Sequence, residues 1–158
     1  MRRTSLLFVV LALVTLLFAA RVEAVWDGSY VNGRFGWSVT VPAEFGMDPA
    51  PDNDDGRRFY DRDGCSITVW GEHNVLEATL ESAMEEEEGN FDSVVSRKKG
   101  DEWFILSGDK GENTLCVKRY VGEGAIYTLQ MEYPSELREH YDPLVAEVLQ
   151  SFSPGGMQ

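Results

Sequence analysis

Cysteine, histidine and basic residues are all scarce here. The chain has two Cys, two His and 14 Lys plus Arg against 27 Asp plus Glu, a net charge of −13. With His73 and His140 far apart and outside any HxxH or HExxH pattern, a multi-histidine zinc site is excluded. Neither Cys65 nor Cys116 lies in a CxxC motif, so local thiol metal ligation and redox catalysis have no support. Phosphate-cradling GxGxxG and GxxxxGKS loops and the GxSxG nucleophile elbow are also missing. The acidic balance repels nucleic-acid backbones and anionic lipid headgroups, so neither is expected as a partner.

Long apolar runs are confined to the start, "MRRTSLLFVVLALVTLLFAARVEAVW". Arg2 and Arg3 precede an apolar stretch from Leu6 to Ala20, and Val22 and Ala24 hold the small-residue positions of a cleavage site. This reads as a secretory signal peptide over residues 1–24. The run is shorter than the roughly 20 residues of a membrane span, so no stable insertion is expected after cleavage. The expected location is periplasmic or secreted. Removing residues 1–24 leaves 134 residues with 11 basic and 26 acidic side chains, a charge of −15, which suits one domain over 25–152 with a disordered tail over 153–158.

An oxidising compartment makes a Cys65–Cys116 disulfide one reading of the pair. The bridge would close a 51-residue separation and limit the unfolded chain by about 4 kcal/mol. Two separate, buried, small apolar residues are the other reading.

What the chain does have is strand pattern. "FGWSVTVP" alternates, with Phe35, Trp37, Val39 and Val41 on one face. A loop follows, with a brief extended piece at Phe45 to Met47. "RRFY" and "CSITVW" form a hairpin around "DRDG", and four further strands form a meander near 93–98, 102–107, 113–121 and 125–133. Between them, "NVLEATLESAMEEEEGN" sets Leu76, Leu80, Ala83 and Met84 on one face of a helix, with Asn74 and Glu77 at capping-box spacing and Gly89 at the far end. Its acidic run Glu85 to Glu88 sits at the end the helix dipole disfavours. A closing helix carries Leu137, Tyr141, Leu144, Val145, Val148, Leu149 and Phe152 as its stripe, with a break expected at Pro143 and Asp142 capping a second segment. The class is α+β, an antiparallel β-sheet flanked by helices.

The segment from Asp52 to Cys65, "DNDDGRRFYDRDGC", looks most like a site. A calcium EF-hand register fails on it: taking Gly56 as the invariant glycine puts the end ligands on Pro51 and Arg62, and taking Gly64 puts them on Phe59 and Trp70. A cation site of another kind built on Asp52, Asp54 and Asp55 would make a calcium-dependent module, the first alternative function. Of the four tryptophans, Trp37 and Trp103 suit a core, whereas Trp26 and Trp70 are more open. Trp70 with Glu72 and His73 beside it is the leading candidate binding surface, and Asp52, Asp54 and Asp55 form the second set.

"YVNGRFGWSVTVPAEF" with "DNDDGRRFYDRDG", and "YTLQMEYPSELREHYDPLVAEVLQSF" at the end, resemble the exported bacterial domains of the PsbP-like superfamily, over about Tyr30 to Phe152. The resemblance implies an α/β/α sandwich and a non-catalytic binding or assembly role, with no shared catalytic set to carry over; the residues themselves point to no metal site or cofactor. The expected function is therefore an exported binding module for a protein or envelope component of unknown identity. A small secreted hydrolase is the second alternative.

Overall fold

A computed structural model describes residues 26–157, so the signal-peptide reading of residues 1–24 lies outside the described residues. The strands are β1 (Ser29–Val31), β2 (Ser38–Thr40), β3 (Gly46–Met47), β4 (Gly56–Tyr60), β5 (Ser66–His73), β6 (Ser93–Lys99), β7 (Trp103–Lys110), β8 (Asn113–Val121) and β9 (Ala125–Pro134). The helices are α1 (Leu80–Glu88) and α2 (Arg138–Ser151), the latter preceded by a 3₁₀ turn, Ser135–Leu137. β1 and β2 pair as a small ribbon, and the other seven strands form one antiparallel sheet in the order β3-β4-β5-β9-β8-β7-β6. The meander β6 to β9 returns the chain to the sheet centre, so β9 lies between β5 and β8.

Alternation along each strand divides the apolar residues between two layers. Tyr127, Leu129, Met131 and Tyr133 of β9 join the larger core, which Trp37 and Val39 fill from the β1–β2 side and Tyr141, Val148 and Phe152 from the closing helix. Phe104 and Leu106 of β7, with Val121 and Ile126, face the other way and pack with Ala83 of α1. Helices therefore cover both faces, as expected of an α/β/α sandwich. Trp26 stacks on Phe59 at 6.1 Å between ring centroids.

Glu87 and Glu88 of the acidic run, and Glu81 before it, pair with basic residues of the sheet. Arg119 of β8 reaches Glu87 at 2.6 Å, Arg97 of β6 reaches Glu88 at 2.6 Å, and Lys99 lies 3.6 Å from Glu81. The Arg97 guanidinium hydrogen-bonded to Glu88 holds that carboxyl below the usual range. On the opposite face of the sheet, buried Lys118 donates to the Leu149 carbonyl (2.8 Å) near the C-terminus of α2, with its Nζ 5.0 Å from the Tyr120 ring centre.

Four expectations change. The first helix starts at Leu80, not near Asn74, because Thr79 and Ser82 form the capping box: Ser82 N donates to Thr79 Oγ1 and Thr79 N to Ser82 Oγ. The closing helix runs through Pro143 without the expected break or an Asp142 cap. Arg138 begins that helix, so the missing N–H removes only the bond to the Glu139 carbonyl, near the helix start. Cys65 and Cys116 are free, buried thiols. Cys65 precedes β5 and Cys116 lies on β8, with β9 between; two strand spacings of about 4.8 Å exceed the roughly 7 Å Cα limit of a disulfide. The stretch after Phe152 is ordered through Met157: Ser153 bridges Ser38, and the Tyr127 hydroxyl donates to the Gly156 carbonyl at 2.7 Å.

Candidate functional site

The register of the β4–β5 hairpin sets Gly56 opposite Trp70. Loop 52–55, which enters β4, therefore meets the end of β5, and both residue sets singled out in the sequence lie at one end of the sheet. The β6–β7 turn (Asp101, Glu102) and the β8–β9 turn (Glu123) arrive at this same end, because Lys99 pairs toward Phe104 and Val121 with Ile126. All three of these turn acids are exposed. The opposite end carries the β4–β5 and β7–β8 turns.

The acidic loop is held by its backbone, which leaves its carboxylates outward. Gly71 N and Trp37 Nε1 donate to the Asp55 carbonyl (2.9 and 3.2 Å), buried Asn32 donates to the Asp54 carbonyl (2.9 Å), and Arg34 donates to the Asn53 carbonyl (2.7 Å). Asp54 takes a left-handed backbone (φ 47°), and its carboxylate lies 3.8 Å from Arg57. Asp52 is exposed, and the Asp55 carboxylate accepts from the Asn53 amide. Among the described residues, no three His, Cys, Asp or Glu side chains gather closely enough to share a metal ion.

Trp70 is half-buried beside Asp55, in a shallow depression of about 340 Å³ that also takes in Pro49, Pro51, Arg58 and Thr68. Its side chain lies over Gly56, where an added Cβ would come within 3.1 Å of the Trp70 Cβ. Glu72 projects from the same sheet face, but His73 belongs to the other, its ring 5.1 Å from Phe35. The expected trio is thus divided by the pleat, whereas Trp70 gains Asp55 from the second set.

The prominent feature of this end escaped the sequence reading. Val75 and Leu76, assigned there to a helix, lie in the loop before it and are 80 % and 89 % exposed. Buried Asn74 braces the loop: its amide donates to the carbonyls of Ala78 (3.0 Å) and Gly122 (2.9 Å), and its oxygen accepts from Ala78 N (2.8 Å). Glu77, at φ 52°, closes the turn with a bond to the Asn74 carbonyl. Glu77, Glu81, Asp101 and Glu123 line the adjoining depression, about 600 Å³. The signal in the sequence was Thr79-x-x-Ser82, a second capping pattern that competes with Asn74 and excludes Leu76 from the helix.

Burial pushes the thiols of Cys65 and Cys116 up to about 12, with Asp61 and Asp142 adding to the respective shifts, so neither is a thiolate near neutrality. The histidine rings rest against aromatic neighbours, His73 on Phe35 and His140 on Tyr141. A groove of about 370 Å³ between α2 and β6 contains Arg138, already engaged by Asp109 and Thr114, and Asp142, engaged by the Tyr133 hydroxyl.

No protein-family profile matches this chain, and no curated protein matches it in sequence. Solved structures do match in shape, and they place the chain among α+β domains with the PsbP-like fold. Cyanobacterial PsbP (CyanoP) from Synechocystis sp. PCC 6803 is 13 % identical, with a TM-score of 0.57 over 86 % of this chain and 96 % of that one. A structure from Bacteroides thetaiotaomicron is 14 % identical (TM-score 0.51), and the match spans 76 % of this chain but only 45 % of that one. The Saccharomyces cerevisiae Ran-binding protein Mog1p is 12 % identical, with a TM-score of 0.51 over 75 % and 89 %. At these identities the likeness is one of fold.

Proposed function

We propose that this chain is an exported, non-catalytic binding or assembly module that docks on a protein or envelope component through the acidic end of its sheet. The observation that carries the reading is the convergence at that end of Trp70, Glu72, the Asp52–Asp55 loop and the exposed Val75–Leu76 turn. Apolar side chains held in solvent on a braced backbone, rimmed by carboxylates, fit a docking surface with an apolar centre and a polar rim. The leader over residues 1–24 supports export, and the fold shared with CyanoP and the Ran-binding protein Mog1p suits a binding role without supplying a partner.

The test is affinity capture from envelope extract, comparing the natural chain with a variant changed at Trp70, Glu72, His73, Asp52, Asp54 and Asp55. Loss of a discrete partner in the variant, with its melting temperature preserved, supports the reading. A partner retained at full strength both by the six-fold variant and by Leu76→Asp rejects it.

A further inference from the structure

We propose that Val75 and Leu76 form the anchor of this docking end, a plug that enters an apolar socket rimmed by lysine and arginine on a partner protein. This rests on the docking reading above and deepens it by naming the partner's chemistry. Among the described residues, Val75 and Leu76 are the only adjacent pair of large, highly exposed apolar side chains; Val31, Met47 and Val95 stand singly. The turn is fixed by the three side-chain bonds of Asn74 and by the Glu77–Asn74 closure, so little conformational freedom remains to be lost on binding.

Charge selects the occupant. Glu72, Glu77, Asp101 and Glu123 are exposed at this end, and among the described residues none of them forms a salt bridge. Carboxylates around an apolar plug repel the anionic headgroups of a bilayer and attract a cationic rim, which also speeds encounter. Among the described residues, no three of these carboxylates gather closely enough to share a metal ion. A protein socket with basic edges satisfies both the apolar centre and the acidic surround.

The experiment places the photo-crosslinker p-benzoylphenylalanine at position 76 of the full chain in its native host. Position 95, exposed on edge strand β6, serves as the control, and positions 53 and 72 sample the rest of the docking end. The protein crosslinked at 76 is identified by mass spectrometry, purified, and titrated against the natural chain, Leu76→Asp, and a Glu72→Lys/Glu77→Lys/Glu123→Lys variant. Phosphatidylcholine vesicles with and without phosphatidylglycerol are titrated in parallel. The expected result is one protein adduct at 76 and none at 95, with Kd raised about tenfold or more by Leu76→Asp. The charge reversal should also weaken binding, and added salt should weaken the natural pair. Adducts at 53 or 72 but not at 76, full affinity with Leu76→Asp, or binding to vesicles instead of protein would overturn the plug and leave the docking end standing. No adduct at 53, 72 or 76 would overturn both.

Discussion

Glu87 and Arg119 form an ion pair inside the fold, 2.6 Å from carboxylate to guanidinium, that fastens α1 to the sheet. Glu87 is 3 % exposed, and its other oxygen accepts from Asn90, while Arg119 also donates to Thr128. Removing one member strands the other's charge away from water. Glu87→Ala should therefore lower unfolding free energy by about 3 kcal/mol or more in urea titration, and Glu87→Leu with Arg119→Leu should recover much of the loss. Equal stability of Glu87→Ala and the natural chain would contradict this.

Alkaline pH should weaken the fold. The thiols of Cys65 and Cys116 are raised from an ordinary value near 9 to about 12, chiefly by burial. Tyr133 and Tyr141 are raised as well, first by burial and then by the carboxylates of Asp142 and Asp61 respectively. Below about pH 9 all four groups are protonated whether folded or unfolded, so their contribution is complete. As pH climbs from about 9 to about 12 the unfolded chain ionises first, and stability falls by up to about 1.4 kcal/mol per pH unit for each thiol. Urea midpoints measured across this range should decline, and less steeply for a Cys65→Ala/Cys116→Ala variant.

The same two thiols should remain unbridged after oxidative refolding. Non-reducing mass spectrometry should show both sulfhydryl hydrogens present, and a thiol reagent should label two cysteines in denaturant but label the native protein slowly. A mass lower by two hydrogens would place Cys65 against Cys116, which the intervening β9 forbids.

Asn74→Ala should cost about 2 kcal/mol, since it leaves the Gly122 carbonyl and both Ala78 backbone groups without their partner. Leu76→Asp, two residues away, should change stability by no more than about 0.5 kcal/mol because the side chain is already in water. Thermal melts of the two variants separate the brace from the surface it presents.

How much of this was legible beforehand depended on whether the cause was local. The alternation of Trp37, Val39 and Val41, the even spacing of Tyr127 to Tyr133 and the Gly64 turn (φ 97°) after "DRD" are local, and each emerged as read. That hairpin alone brings loop 52–55 to Trp70, so the shared position of the two candidate sets was already implicit. β1 was not legible, because three residues with one inward-facing tyrosine carry no periodicity. Leu76 fitted the helical repeat of Leu80 and Met84, and only the stronger cap at Thr79 displaced it. The distance between the cysteines depends on β9 inserting between β5 and β8, an ordering that no local pattern encodes.

Amide hydrogen exchange on the complex with its captured partner tests the docking end most directly. The account predicts slowed exchange in residues 52–55, 72–79 and 122–124, with the opposite-end turns at 61–64 and 110–112 unchanged. Protection confined to those opposite turns, or to α2, would contradict it.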